Sequence, residues 1–209
     1  MVGFGYAFHV DLVTIVWPFV NMNINSSNWN MKEASVMIFG CMLHGPSMNI
    51  LNSIISEGTG LLIDMVLQDP SVSVRDSAAW VLSQICDGFL TSVPGDKTVA
   101  LIECLIMALD MEPRVGHHAA LAISLICDFV ADSPNLQILQ PYYKTLIEKL
   151  FNISEKLGSA YTQLREAASY ALISLINCRL PDTDNFLISF YQFVMDKCKM
   201  TIVGAASLS

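Results

Sequence analysis

With 209 residues, the chain is long enough for one good-sized domain or a short repeat array. It is 53% hydrophobic and only 14% charged, against about 25% charged in ordinary soluble domains, so part of its apolar surface is expected to be covered by something else. Nineteen acidic against eleven basic residues leave a net charge of −8, which argues against non-specific nucleic-acid binding and favours a basic partner.

The first segment, MVGFGYAFHVDLVTIVWPFV, lacks a basic leader, is interrupted by His9 and Asp11, and has its best apolar run ended by Pro18. It reads as a buried helix rather than a signal peptide or a membrane span, so no membrane insertion is expected. LVTIVWPFVNMNI and NWNMKEASVMIFGCMLHGP form a first pair of helices. GLLIDMVLQ then runs into the turn Asp69-Pro70-Ser71, and VRDSAAWVLSQICD follows. In that last stretch Val74, Ala78, Val81, Leu82 and Ile85 recur at i, i+4, i+7, i+8 and i+11, a helical stripe.

The same stripe returns along the chain. It lies 43 residues earlier at Ser35, Ile38, Phe39 and Met42, and 41 later at Val115, Ala119, Ala122, Ile123 and Ile126. A displacement of 90 reaches Leu164, Ala168, Ala171, Leu172 and Leu175. An apolar helix precedes each: KTVALIECLIMALDM before Glu112-Pro113, and YYKTLIEKLFNISEKL before the fourth. Proline at these junctions ends one helix and opens the next. Paired helices at a period of about 40–47 residues are the signature of an all-α superhelix of HEAT or armadillo type. About four and a half units are expected, at 8–46, 47–92, 96–132 and 138–180, with an incomplete fifth at 182–203 and no polar cap at either end.

Trp80 stands apart from the stripe. At about 100° per residue from Asp76, Trp80 lies at about 40°, Ser83 at about −20° and Asp87 at about 20°, with the core residues around 180°. Asp76, Trp80, Ser83, Gln84 and Asp87 therefore form a ridge expected to face solvent. Glu33 and Met37, His117 and Leu121, and Glu166 and Tyr170 hold the matching places in the other units. An indole beside carboxylates suits a basic helix, because a Lys or Arg stem lies along the ring while its head reaches the acid. Packing of Trp80 on a neighbouring repeat is the competing reading.

No catalytic or cofactor motif appears: there is no phosphate loop, no GxSxG and no HExxH. Adjacent His117 and His118 point about 100° apart on a helix and make no metal site. The six cysteines have no CxxC spacing and read as buried free thiols of a reducing compartment.

DPSVSVRDSAAWVLSQIC, EPRVGHH and NWNMKEASVMIFGCMLHGP resemble consecutive HEAT repeats of the importin-β (karyopherin) family, over residues 10 to 178. The resemblance implies an import receptor that binds the basic helix of an importin-α-type adaptor, or basic localisation signals directly, and releases them to Ran-GTP. It implies residence in cytoplasm, nucleus and nuclear envelope or pore. Trp80 occupies the position of a tryptophan that in this family contacts the adaptor, with Asp76 beside it. Leu121 stands where the family usually carries a second tryptophan, which weakens that anchor. The family's acidic loop precedes the matching stretch, and the repeats that engage Ran and most of those that engage nucleoporins fall outside it. The alternative reading is a structural HEAT scaffold, or a relic of a longer receptor without transport activity.

Overall fold

The computed structural model describes residues 9–44, 48–133, 137–178 and 180–206. Residues 1–8 of the apolar N-terminal segment, and the edges of the expected units at 45–47 and 134–136, lie outside them. Among the described residues there are nine α-helices and no strand: α1 (His9–Asn23), α2 (Trp29–Met42), α3 (Met48–Gln68), α4 (Val72–Cys86), α5 (Gly95–Ala108), α6 (Pro113–Ala131), α7 (Tyr143–Ser154), α8 (Thr162–Asn177) and α9 (Asp184–Ala206).

Each odd-numbered helix up to α7 packs on its successor, and the even-numbered helices stack in chain order, α2 on α4, α4 on α6, α6 on α8. The architecture is the α-α superhelix of a HEAT solenoid. Its core runs between the two helix layers. Val74, Ala78, Val81, Leu82 and Ile85 are fully buried, as are Val115, Ala119, Ala122 and Ile126 one unit on.

The local rules explain most boundaries. Pro113 occupies the first turn of α6, where its missing N–H would have had no partner in any case. At the entry to α4, Ser71 N–H donates to Asp69 Oδ1 at 2.9 Å. Two boundaries differ from expectation. α1 continues through Pro18, and α3 begins twelve residues before the apolar run at Gly60. In α3 the glycine at 58 is useful rather than disruptive: a Cβ there would sit 2.8 Å from Phe39 Cζ, so its absence lets α3 close on α2.

Polar contacts repeat with the helices. Lys32 pairs with Asp69 at 2.6 Å, and 43 residues further on Arg75 pairs with Glu112. Arg75 also donates to the Asp69 carbonyl at 2.5 Å, which ties the start of α4 to the last carbonyls of α3, where a cation is favoured. Side-chain hydrogen bonds that reach beyond one helix pair join residues 37 to 51 positions apart among those resolved here. Among the described residues these side-chain bonds thus join each repeat to its neighbours.

All six cysteines are free thiols, but they are not uniformly buried: Cys41 and Cys198 are exposed, Cys178 is half-buried, and Cys86, Cys104 and Cys127 are buried. α6 is long and apolar enough to cross a membrane by composition. It is the central helix of the stack, packed between α4 and α8.

Candidate functional site: the second-helix layer

The ridge on α4 does not stand clear of the protein. Asp76 is 7% exposed and Ser83 2% exposed, so both leave the solvent-facing row expected for them. The cause is lateral packing. A helix with neighbours on both sides buries three faces, whereas a wheel drawn for one helix allows for one. Asp76 turns into the α4–α6 contact, where Arg114 lies 2.7 Å from Oδ2 and His118 Nε2 lies 3.5 Å from Oδ1. Ser83 Oγ–H donates to the Trp80 carbonyl at 2.7 Å.

Trp80 is half-buried on the other side, over α2. A Cβ at Gly40 would fall 2.8 Å from Trp80 Cη2, closer still to Cζ3, and 2.9 Å from Val81 Cγ2. The indole therefore fills the notch that Gly40 leaves, which is the packing alternative, while the residue as a whole stays partly exposed. Gln84 Oε1 accepts from His44 Nε2 at 3.1 Å, and Glu33 Oε1 accepts from Ser77 Oγ at 3.4 Å. Both polar contacts join α4 to α2 and its C-terminal end.

The exposed carboxylates collect one step further along. Asp87 follows α4, and Asp128 and Asp132 end α6. They line an open groove of about 350 Å3 with Thr91, Leu125 and Phe129. Carboxylates at two helix C-termini add their charge to the negative ends of the helix dipoles, so the groove favours a cation. Asp132 was not singled out in the sequence because it lies beyond the ridge, although Asp87 and Asp128 keep the 41-residue offset that links their helices. Glu166 and Tyr170, the latter 67% exposed, sit on α8 with Arg165, Ser169 and Ile173 around a separate groove of about 470 Å3. The expected site residues thus divide among four places on the second-helix layer: the α4–α6 contact, the α2–α4 face, the acidic groove and the α8 groove.

The Asp76–His118 contact gives a pH-dependent test. Burial first, then the positive charges of His117 and Arg114, lower His118 from 6.5 to about 4 despite the nearby carboxylate. Burial also raises Asp76, outweighing Arg114 and His117. A histidine held neutral by the fold lends stability that is complete above 6.5 and lost as pH falls toward 4. The raised Asp76 acts in the opposite sense, its cost fading as it takes up a proton. His118→Gln is therefore expected to remove about 1–2 kcal/mol of the acid sensitivity between pH 7 and 4.5, allowing for partial solvent screening. Urea unfolding at three pH values checks this, and equal acid sensitivity in both proteins would contradict it.

The helical-repeat solenoid has counterparts among known proteins. Residues 60–89 match the HEAT repeat model, and residues 100–208, just over half of the chain, match the model for "Importin subunit beta-1-like, TPR repeats". The chain belongs to the importin subunit beta-1-like family. Importin subunit beta-1 of Arabidopsis thaliana is 25% identical over 200 residues, covering 93% of this chain and 23% of that protein. The Schizosaccharomyces pombe protein is 29% identical over 151 residues, 71% of this chain and 17% of its own length. Yeast importin-beta (Kap95p) superimposes with a TM-score of 0.81 at 22% identity, over 91% of this chain and 22% of that one, and the Kap95:Nup1 complex gives the same values. This chain spans under a quarter of the length of these relatives.

Proposed function

We propose that the chain serves protein import into the nucleus as a receptor segment, accepting a basic adaptor helix or a basic localisation signal along its second-helix layer. The observation that carries this reading is the groove in which Asp87, Asp128 and Asp132 converge at two helix C-termini. Trp80 and Gln84 lie on α4 within two turns of it. One Lys or Arg head of the basic segment enters the groove, while the stem of another lies along the partly exposed Trp80, a contact worth about 0.5–2 kcal/mol. Glu33 and Glu166 add long-range attraction, and Tyr170 offers a second aromatic contact on α8. Asp76 and Ser83 act through the α4 packing that seats Trp80. The role is binding rather than catalysis, exercised between cytoplasm and nucleus and at the pore. Ran and nucleoporins enter as partners through relatives solved as Kap95p with RanGDP and as Kap95:Nup1.

Fluorescence anisotropy of a labelled basic adaptor helix, at low and high salt, tests this. Binding is expected to weaken with salt, to drop about tenfold or more in the triple variant Asp87→Asn, Asp128→Asn, Asp132→Asn, and to weaken in Trp80→Ala. Binding of a scrambled peptide of equal charge with equal affinity would reject the reading.

A scaffold role is favoured by one observation. An apolar groove of about 640 Å3 between α8 and α9, lined by Leu172, Ile176, Leu187, Ile188, Tyr191 and Val194, stands open. In that reading the chain self-associates at micromolar concentration in sedimentation, and adaptor binding is indifferent to the aspartate triple variant.

A further inference from the structure

The second helices pass a pair of charges from repeat to repeat, and α8 carries that pair with nothing to meet. In α4, Arg75 donates to the Asp69 carbonyl at 2.5 Å and also to the Glu112 carboxylate of the next repeat. Asp76 takes Arg114 of that repeat at 2.7 Å. A displacement of 90 residues brings the pair back in α8 as Arg165 and Glu166. Arg165 keeps the first of these contacts, Nη1 donating to the Lys156 carbonyl at 3.3 Å. Among the described residues no carboxylate pairs with Arg165 and no cation pairs with Glu166. Both line the open groove of α8, with Thr162, Ser169, Tyr170 and Ile173.

The face these residues make is complementary to itself. At about 100° per residue, Ser169 and Ile173 lie within about 20° of Thr162 around α8, and Ile176 within about 40°. They form its midline. Arg165 falls about 60° to one side of Thr162 and Glu166 about 40° to the other. Two copies of α8 laid side by side and parallel, about a two-fold axis running along them, bring Arg165 of each level with Glu166 of the other. An isologous contact makes every pair twice, so one ion pair forms on each flank. Thr162 and Ser169 are small enough for the helices to approach closely, and the exposed Ile173 and Ile176 meet their counterparts further along. Antiparallel helices would instead set Arg165 on the same flank as Arg165 of the second copy. The charges therefore also choose the direction.

We propose that the outer face of α8 pairs with α8 of a second copy of this chain, in parallel about a two-fold axis. Two Arg165–Glu166 ion pairs flank a seam of Ile173 and Ile176. The apolar seam supplies the burial, and the charges supply register and partner choice, which is what interfacial charges do best. The face lies a repeat beyond the groove of Asp87, Asp128 and Asp132, so the dimer and the adaptor reading stand or fall separately.

Sedimentation equilibrium of the full chain, from low micromolar to tens of micromolar, is expected to show a monomer–dimer equilibrium. Arg165→Glu and Glu166→Arg, each alone, set like charges opposite one another and are expected to weaken the dimer about tenfold or more. An equimolar mixture of the two variants is expected to regain the original affinity, because one copy then brings two acids and the other two bases. A fluorescent label on one variant identifies the mixed dimer. The doubly exchanged chain, Arg165→Glu with Glu166→Arg, keeps the pairing and is expected to dimerise like the original, which decides the matter where a single variant folds poorly. A monomer throughout the range, open-ended oligomers, or a mixture no stronger than either variant would each overturn the proposal. So would a dimer indifferent to both charges, the result expected if the chain associates through the apolar groove between α8 and α9 alone.

Discussion

Leu82→Ala is expected to lower the stability of the chain by about 2–5 kcal/mol, while Ile188→Ala shifts it by no more than about 0.5 kcal/mol. Both substitutions remove the same kind of apolar atoms from a helix. Leu82 is 0% exposed at the centre of α4, a helix that packs on α2, α3 and α6, whereas Ile188 is 58% exposed on α9. The first leaves a cavity that three helices cannot all collapse to fill, and the second leaves water where water already was. Urea unfolding followed by circular dichroism measures the difference. In a stack held only by nearest neighbours, weakening α4 also loosens the coupling between the repeats on either side. The Leu82→Ala transition is therefore expected to broaden as well as shift. Equal losses at the two positions would contradict the placement of the core.

Gly40→Ala is expected to destabilise, against the usual trend. Alanine in place of an interior helix glycine ordinarily gains about 0.5–1 kcal/mol. Here the added methyl would meet Trp80 Cη2 at 2.8 Å and Val81 Cγ2 at 2.9 Å. Overpacking of this kind costs about 1–3 kcal/mol, which outweighs the helix gain. Gly88→Ala provides the control, since nothing lies within 4 Å of its Cβ position, and is expected to be near neutral. The double variant Gly40→Ala, Trp80→Ala decides the cause. With the indole gone only the Val81 methyl remains close, so the penalty of Gly40→Ala should shrink by at least half in that background. A penalty independent of Trp80 would move the explanation away from the ring. The same packing bears on recognition: a ligand meets only the part of the indole that Gly40 does not hold.

The repeat was legible because burial between the two helix layers imposes one apolar stripe per second helix. Val74 to Ile85 show that stripe plainly, and proline at 70 and 113 marks the turns. What the stripe cannot carry is contact along the solenoid axis. That contact is made by small and polar residues such as Gly40, Asp76 and Ser83, whose types are ambiguous in sequence. Asp76 has the composition of a surface residue and becomes buried because Arg114 and His118 reach it from the next repeat. Trp80 looked solitary because its partner is the absence of a side chain. Asp87 was legible as an exposed acid; its convergence with Asp132 depends on how α4 and α6 cross, which periodicity does not encode.

The regular spacing of the polar contacts, 37 to 51 positions whichever repeats they join, has a kinetic consequence. The loop that must close to form any of them is about one repeat long, so the search cost of each closure stays constant as the array grows. Such a chain assembles in the manner of a zipper. Once two adjoining helix pairs dock, every later pair meets a ready-made surface, and adding repeats lengthens the ordered array without raising its initial barrier.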